Sequence, residues 1–437
     1  MNSSKLQAVI IAGGEGNRLK SISKNIPKPM TLILGKPLLQ HQIELCEKQG
    51  ITDIQILVGY KSEVISSYFE DGSSFGVKIQ YHKENNLRGT AGALLDAIES
   101  LNNQFFVIYG DTFLNVDLIS LLSFHTNKNS TITLFLHPNS HPIDSDLIEV
   151  DDQMVVKEIY NYPHSTDVPR RNLVNAGLYI FNKAVFLKEK KVSTKSDIAK
   201  NLFPKLLRDG VSMHGYISSE YIKDMGTPER LECVERDILS GKVNALTKST
   251  PKMAFFLDRD GVINKEVGHL NNLSQFELIP EVADSIRRIN DAGILVIVIT
   301  NQPVIARGEL SEEKLRVIHN KMETLLGNSG AFIDAIYYCP HHPHSGFKGE
   351  IIEFKKKCEC RKPLPGMILQ AANELNISLK DSWMVGDSTS DILAARNAGV
   401  TSILVKTGHS GKDGKFNSTP NFEATSLKEA VNWALSS

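Results

Sequence analysis

The sequence predicts an α/β protein made of two doubly wound domains, and two observations support this fold class. Short apolar runs typical of mainly parallel strands alternate with amphipathic helical patterns, for example at residues 38–49 and 281–292. With 437 residues the chain is too long for one core, and its motifs form two separate sets. We place the domains at residues 1–245 and 252–437, because residues 241–252 are polar, contain proline and lack sustained periodicity.

A glycine-rich loop follows the first apolar strand, at residues 8–11. Gly13 and Gly14 would let the backbone approach a phosphate group, and Arg18 follows in the same loop. Such loops are also common as plain turns, so the interpretation depends on what comes later in the chain. Further polar and glycine residues follow in series at predicted loops and strand ends: Lys28, Gly89, Thr90, Asp111, Asn175, Gly177 and Asp224.

This series resembles the sugar-1-phosphate nucleotidyltransferases over residues 5–240, and among them the guanylyltransferases for heptose 1-phosphate and then mannose 1-phosphate. The resemblance implies a Rossmann-like domain in which a sugar-phosphate oxygen attacks the α-phosphorus of a nucleotide and pyrophosphate leaves. It implies that Arg18 and Lys28 stabilise the growing negative charge. It also implies that Asp111 and Asp224 hold Mg²⁺. The remaining positions would bind the nucleotide (Gly13, Gly14, Gly89, Thr90) and the sugar (Asn175, Gly177).

The choice of base depends on Glu84, which stands at the position that touches the base edge in these relatives. A carboxylate suits guanine, which presents two adjacent donors, whereas uracil and thymine present one donor flanked by acceptors. We therefore expect GTP as the nucleotide. An exposed glutamate without a role in binding is the alternative.

Two positions depart from the transferase pattern. Asn17 stands where threonine is usual, and its amide still donates a hydrogen bond to phosphate. The Glu-Lys pair that commonly binds the sugar and its phosphate is absent. Asn161 would replace the glutamate, and either Arg170 or Arg171 would replace the lysine, unless these arginines form a solvated loop.

The second domain begins with an apolar run, residues 254–257, that delivers Asp258 and Asp260 to the end of a predicted strand. Paired aspartates suit phosphoryl transfer, because one attacks phosphorus while the other protonates the leaving oxygen and later deprotonates water. In open parallel sheets, residues beyond the strand ends converge on one crevice. We expect phosphate-binding groups (Thr300, Asn301, Arg361, Lys362) and acidic Mg²⁺ ligands (Asp387, Asp391) there.

These residues resemble the signature of haloacid dehalogenase superfamily phosphatases, and more closely that of D-glycero-D-manno-heptose-1,7-bisphosphate 7-phosphatases. The resemblance implies that Asp258 forms an aspartyl-phosphate and that Asp260 is the acid and base. It implies that Mg²⁺ contacts the Asp258 carboxylate, the Asp260 carbonyl and Asp387. Lys362 would neutralise the phosphoryl group, and Arg361 would read the second phosphate.

Three of the five cysteines fall in one short stretch together with a histidine. Their number and chemistry suit tetrahedral zinc, and the stretch coincides with the zinc loop of the resembling phosphatases. We expect structural Zn²⁺, since no catalytic base or open ligand is evident nearby. A reduced, solvent-facing loop is the alternative, and we interpret His342 and His344 as bystanders. The four expected ligands are Cys339, His341, Cys358 and Cys360.

The composition and charge of the chain limit the kinds of binding partner that we expect. The chain has 49 Lys and Arg against 50 Asp and Glu, which gives no reason to expect nucleic acid. No signal peptide and no apolar stretch of membrane-spanning length is evident, so we expect a cytoplasmic protein without a membrane partner. Cys46 and Cys233 are then reduced thiols, and a homo-oligomer is compatible with the sequence.

The two halves make chemical sense as consecutive steps on small-molecule substrates. The phosphatase would remove the 7-phosphate of D-glycero-D-manno-heptose 1,7-bisphosphate, and the transferase would add GMP to the resulting α-heptose 1-phosphate. The product would supply heptose to a surface polysaccharide or glycoprotein, with Mg²⁺ serving both halves. One alternative pairs mannose-1-phosphate guanylyltransfer with a histidinol-phosphate-type phosphatase. Another makes the first domain a nucleotide-sugar sensor, which its full set of phosphate and metal residues disfavours.

Overall fold

The computed structural model describes residues 6–14, 26–84, 88–188 and 195–436. The chain forms two compact units that divide between Thr247 and Lys248, and two earlier segments, Pro138–Asp144 and Pro163–Asn172, cluster with the second unit. The predicted α/β class is confirmed in both. The stretch expected to be an irregular linker begins instead with a short helix, Lys242–Ala245, because Val243 packs into the first unit.

A mixed sheet forms the centre of the first unit. Its strands are β1 (Gln7–Ala12), β4 (Asp53–Val58), β5 (Lys78–Lys83), β6 (Gln104–Tyr109), β8 (Ile132–His137), β9 (Leu147–Val150), β10 (Val156–Tyr160), β11 (Val174–Asn182) and β12 (Met213–Ile217). The order is β10-β9-β11-β6-β1-β4-β5, and β8 lies between β11 and β12. The β6-β1-β4-β5 portion is parallel, whereas β11 is antiparallel to β6 and β8. This unit is therefore less uniformly parallel than the sequence predicts.

Two small antiparallel pairs and a set of helices complete the first unit. The pairs are β2 (Leu32–Ile33) with β3 (Lys36–Pro37) and β7 (Thr112–Asn115) with β13 (Tyr221–Asp224). The helices are α1 (Leu38–Lys48), α2 (Ser62–Phe69), α3 (Gly89–Ala97), α4 (Leu118–Asn127), α5 (Phe203–Arg208), α6 (Pro228–Leu239) and α7 (Lys242–Ala245), with a π-helix at Ile198–Leu202. The predicted helix at residues 38–49 is confirmed to within one residue.

The second unit is a parallel sheet covered by helices. Its strands are β14 (Ala254–Leu257), β15 (Leu295–Asn301), β16 (Ala335–Cys339), β17 (Trp383–Gly386), β18 (Thr401–Val405) and β19 (Phe422–Ala424), in the order β16-β15-β14-β17-β18-β19. Its helices are α8 (Val282–Asp291), α9 (Pro303–Ala306), α10 (Glu312–Gly327), α11 (Gly366–Leu375), α12 (Thr389–Ala398) and α13 (Leu427–Ser436). Parallel strands need such crossover helices, which leaves all strand carboxyl ends at one edge.

Apolar spacing explains how these elements bury their inner faces. In α8, Val282, Ile286 and Ile289 recur at helical spacing and are buried against the sheet. The predicted helix at residues 281–292 is thus confirmed. Strand β14 is buried at every position because β15 and β17 flank it and helices cover it. A central strand of this kind fixes the position of the first residue beyond its end, Asp258.

Candidate functional site

Three carboxylates meet beyond the carboxyl ends of β14 and β17. Oxygens of Asp258, Asp387 and Asp391 all lie within 4.8 Å of one another. Lys362 lies among them, with its Nζ 2.9 Å from Asp258 Oδ1 and 2.7 Å from Asp391 Oδ1. The same ammonium donates to the carbonyl of Ile299 (2.8 Å) and is almost fully buried. The structure thus brings Asp258, Lys362, Asp387 and Asp391 together as expected.

One cation does not balance these carboxylates. Burial, followed by the charges of Asp258 and Asp391, raises the pKa of Asp387 to about 8. Burial likewise raises the pKa of Asp258, against the opposing effect of Lys362. Burial disfavours the charged form of Lys362, but the two neighbouring carboxylates outweigh it and raise its pKa. Crowded, buried oxygen donors of this kind fit a hard divalent cation such as Mg²⁺.

The side chain of Asp260 points into a separate network. Arg259, which is fully buried, donates through Nη2 to both Asp260 oxygens (2.9 and 2.8 Å). Gln302 Nε2 (2.9 Å) and Asn264 Nδ2 (2.9 Å) donate to the same carboxylate. Burial alone would raise the pKa of Asp260, but these donors hold it below its usual value. The ionised form is therefore held ready beside the carboxylate cluster.

Thr300 and Asn301 lie at the end of β15, but their side chains already have protein partners. Thr300 Oγ1 accepts from Gln302 Nε2 at 2.9 Å. Asn301 Oδ1 accepts from the Lys362 N–H (3.0 Å), and Asn301 Nδ2 donates to the Lys362 carbonyl (3.1 Å). The Asn301 amide therefore fixes the main chain of Lys362, a role that the sequence interpretation did not include.

A cluster of three cysteines and one histidine lies next to this site. Its Sγ and Nδ1 atoms are 3.2 to 3.7 Å apart in the bonded pairs. Zinc–sulfur bonds of about 2.3 Å at tetrahedral angles would place sulfurs roughly 3.8 Å apart, so the geometry fits Zn²⁺. Burial and the neighbouring thiols raise the pKa of Cys339, which a bound cation would reverse. The cluster contains the four expected ligands Cys339, His341, Cys358 and Cys360.

Arg361 connects this cluster to the carboxylate site around Lys362. Its Nη1 donates to the carbonyl of His341 at 3.0 Å. Burial lowers the pKa of the Arg361 guanidinium, against the attraction of Cys339 and Cys358. The segment that contains Cys358 and Cys360 thus leads directly into Lys362. His342 lies outside the cluster, and its Nδ1 is 3.2 Å from the His344 carbonyl.

In the first unit, β7 and β13 bring two expected metal ligands together. Their antiparallel register sets Thr112 opposite Asp224, and the Met225 N–H donates to the Asp111 carbonyl at 2.7 Å. Lys28 Nζ lies 2.5 Å from Asp111 Oδ2. Asp224 pairs with Arg230, whose Nη1 lies 2.6 Å from Oδ2. Both carboxylates thus have a cation beside them, and Arg230 is a partner that the sequence interpretation missed.

Glu84 lies against the glycine loop that follows β1. A Cβ at Gly13 would come within 2.6 Å of Glu84 Oε2, whereas Gly14 has open space around it. Burial raises the pKa of Glu84, and the Arg88 N–H donates to its carboxylate (3.4 Å). The side chain is therefore half-buried beside the loop rather than idle on the surface. Arg18 and Asn17 lie outside the described residues.

The expected binding segment at Gly89 and Thr90 is held in place by contacts with another part of the same chain. Thr90 Oγ1 donates to Asp197 Oδ2 (2.8 Å) and accepts from the Ile198 N–H (2.8 Å), so its hydroxyl has a structural partner. A Cβ at Gly89 would come within 2.4 Å of the Ser196 carbonyl, which requires glycine. Both residues begin α3 and remain candidates through their backbone N–H groups.

Asn175 and Gly177 lie on β11 at a break in its register with β8. Gly177 has φ 74°, and a Cβ there would come within 3.0 Å of the Tyr109 ring. Asn175 Oδ1 accepts from the Gly177 N–H at 3.4 Å. The Asn175 side chain thus bonds to the backbone of Gly177, and the expected contact of both residues with the sugar stays a prediction. Arg170 and Arg171, suggested as a replacement cation, belong to a segment that clusters with the second unit.

Among the described residues, every helix is too short or too polar to span a membrane.

Comparison with known proteins gives matches in both halves. Residues 7–241 match the family described as nucleotidyl transferase, and residues 359–430 match the HAD-hydrolase-like family. D-glycero-β-D-manno-heptose-1,7-bisphosphate 7-phosphatase from Yersinia pestis is 44% identical over 164 residues, which is 37% of this chain and 84% of that protein. The same protein from Escherichia coli K12 is 43% identical over 164 residues, 37% of this chain and 83% of that protein. The structure of HddC from Yersinia pseudotuberculosis, complexed with GMP-PN, shares 26% identity, covering 53% of this chain and 99% of that one with a TM-score of 0.46.

Proposed function

We propose that this chain makes a GDP-heptose in two consecutive steps. The premise is that the chain belongs to the nucleotidyl transferase family and, through its second unit, to the heptose-bisphosphate 7-phosphatase family. It is an enzyme with a transferase half and a phosphatase half. The substrate of the first step is D-glycero-D-manno-heptose 1,7-bisphosphate. The observation that carries the proposal is the presence of both the Asp258 and the Asp111 site in one chain.

In the phosphatase unit, Asp258 attacks the phosphorus on O7 and forms an aspartyl-phosphate, while Lys362 neutralises the transferred charge. Away from its bonds to Arg259 and Gln302, Asp260 takes up a proton from solvent and gives it to the leaving oxygen. The resulting carboxylate then takes a proton from the water that hydrolyses the intermediate. Asp258, the Asp260 carbonyl and Asp387 would hold Mg²⁺, which would lower the repulsion between carboxylate and phosphate. The proximity of Lys362 and Asp258, 2.9 Å apart, supports these assignments.

In the transferase unit, the phosphate oxygen of heptose 1-phosphate attacks the α-phosphorus of GTP, and pyrophosphate leaves. Lys28 and Arg18 stabilise the developing charge, and Asp111 and Asp224 would hold the Mg²⁺ that the nucleotide brings. Glu84 accepts hydrogen bonds from the guanine edge. Its half-buried position beside Gly13 supports this role.

The sugar product is D-glycero-α-D-manno-heptose 1-phosphate in this proposal, whereas the curated relatives are named for the β-bisphosphate. The assignment of the α anomer follows from its pairing with a guanylyltransferase half. Physical linkage raises the local concentration of the intermediate without requiring a channel. Zn²⁺ held by Cys339 and its three partner ligands is structural.

The test is a mass-spectrometric product assay. Purified full-length protein is incubated with Mg²⁺, GTP and either anomer of the bisphosphate, in parallel with ATP, CTP and UTP. The proposal expects a GDP-heptose from the α anomer with GTP. Formation of an ADP-heptose from the β anomer and ATP would contradict both the proposed anomer and the proposed base. Phosphate release without any nucleotide sugar would leave only the phosphatase step.

A further inference from the structure

We infer that Gln42 is a positioning residue for the transferase reaction, because its side-chain amide holds the turn that carries Asp111. Gln42 lies on α1 and is 1% exposed. Its Nε2 donates to the carbonyl of Tyr109 at 2.9 Å and to the carbonyl of Thr112 at 2.6 Å. These two carbonyls flank Gly110 and Asp111, so one amide group closes both sides of the turn.

The contact requires a side chain with two N–H donors at this position. Both partners are carbonyl oxygens, so only a group with two N–H donors can serve them together, and the orientation of the amide follows. Gln42 Oε1, by contrast, is buried without a hydrogen-bond partner among the described residues. An unsatisfied buried acceptor is unfavourable, and an apolar side chain would avoid it. The retained amide therefore has a task other than packing.

The turn is fixed by the backbone on two further sides. The Gly110 N–H donates to the Ile11 carbonyl at 3.0 Å, and a Cβ at Gly110 would come within 2.7 Å of the same oxygen. The Asp111 carbonyl accepts from the Met225 N–H at 2.7 Å, which ties the turn to the strand that carries Asp224. Gln42 is the only side chain among these three connections. It therefore fixes the backbone that carries the Asp111 carboxylate, whose Oδ2 is paired with Lys28, and it acts on that backbone rather than on substrate.

This inference rests on the proposed role of Asp111 as a Mg²⁺ ligand. A residue that orients a metal ligand typically changes metal affinity or activity by about 10-fold to 100-fold when it is replaced. Gln42→Met keeps the size of the side chain and removes both donors, so we expect a loss of transfer in that range, with a higher Mg²⁺ concentration for half-maximal rate. Gln42→Glu places a carboxylate against two carbonyls and should lose more.

The chain offers a matched control on the same helix. Gln49 is the C-cap residue directly after α1, and its amide also holds distant backbone: Nε2 donates to the Val116 carbonyl (2.8 Å) and Oε1 accepts from the Leu118 N–H (2.8 Å). These contacts serve the start of α4 instead of the Asp111 turn. Gln49→Met should therefore keep the Mg²⁺ dependence of transfer.

The experiment measures pyrophosphate release by the full chain with heptose 1-phosphate and the nucleotide that the wild type uses, over a Mg²⁺ titration. Phosphate release from the bisphosphate by the same samples reports the second unit. The inference expects Gln42→Met to change only transfer. Equal kinetics for Gln42→Met and Gln49→Met, while Asp111→Asn is inactive, would overturn it. Loss of both activities in Gln42→Met would make the residue a general stabiliser and also contradict it. Wild-type transfer by Asp111→Asn would instead overturn the proposed role of Asp111.

Discussion

The two sets of aspartates in this chain are balanced by cations in different ways. In the second unit, Asp258 and Asp391 share one buried ammonium, that of Lys362, and Asp387 lies in the same cluster. In the first unit, the Asp111 and Asp224 carboxylates each have their own cation and are 37% and 40% exposed. The buried cluster therefore needs added positive charge for stability as well as for chemistry, whereas the exposed pairs need it for chemistry alone.

The largest effects should come from removing one carboxylate of each set. Asp258→Asn removes the proposed nucleophile and should lower phosphate release by roughly 10³-fold or more while transfer continues. Asp111→Asn should lower transfer and spare phosphate release. Separate assays of phosphate and pyrophosphate on each variant check this. Loss of both activities in either variant would mean that the two sites are not independent.

Substitutions of Lys362 and Lys28 test whether the two sites differ in how much their ion pairs contribute to stability. Lys362→Met leaves buried carboxylates without their partner and should cost about 3–5 kcal/mol of unfolding free energy, part of which Mg²⁺ restores. Lys28→Met breaks a pair that is partly exposed and should cost only about 0–1 kcal/mol, although transfer falls.

Tryptophan fluorescence suits the measurement on the second unit, because Trp383 and Trp433 both lie there. Urea unfolding of Lys362→Met is followed by this signal with and without Mg²⁺. Limited proteolysis reports the first unit in Lys28→Met. Similar losses of stability in the two variants would contradict the proposed difference between the sites.

Zinc should matter only to the second unit. Cys358→Ser removes one of the four expected ligands, so bound zinc should fall from about one atom per chain to almost none. Phosphate release should fall with it, because the cluster holds the loop that leads into Lys362. Metal analysis by mass spectrometry checks the zinc content. Cys233→Ser is the matched control, since Cys233 lies on α6 of the first unit, and it should keep both zinc and activity.

A buried histidine should produce an effect that is confined to acidic conditions, a change in stability. Burial, followed by the charge of Arg259, lowers the pKa of His319 to about 3 from its usual 6.5. The unfolded chain therefore binds a proton between these values that the folded chain does not. Stability is fully present above pH 6.5 and falls as pH decreases, by up to about 1.4 kcal/mol per pH unit from this group.

His319→Gln should flatten that slope between about pH 6 and pH 4, and urea titrations by tryptophan fluorescence at a series of pH values measure it. Its amide oxygen can still accept from Arg259. His344→Gln, at an exposed histidine of the same unit, is the control. An unchanged slope in His319→Gln would mean that the ring is already charged in the folded protein.

Much of the second unit could be predicted from sequence, because its functional residues follow buried strands whose order in the chain is readable. Asp258, Asp387 and the four cysteine and histidine ligands converge as expected. The partners of these residues were harder to predict. The Asn301 amide bonds the main chain of Lys362, which depends on a loop more than 60 residues later.

The site in the first unit was harder to predict from sequence, because its residues also depend on partners that are distant in the chain. Asp111 and Asp224 come together through a short pair of strands, β7 and β13. No local sequence pattern predicts the register of this pair. Gln42 sits in an amphipathic helix, where a polar residue on the buried face is the only sequence signal. Side chains that act by holding distant backbone leave little periodic trace, and contacts of this kind require the fold.

The central claim is that two independent sites act in succession, and a mixing experiment tests it most directly. Asp258→Asn and Asp111→Asn proteins are supplied with the heptose bisphosphate, GTP and Mg²⁺, first separately and then together, and products are followed by mass spectrometry. Asp111→Asn alone should accumulate heptose 1-phosphate, Asp258→Asn alone should leave the bisphosphate unchanged, and the mixture should form GDP-heptose. A mixture that releases phosphate but forms no nucleotide sugar, while the wild type does form it, would contradict the account.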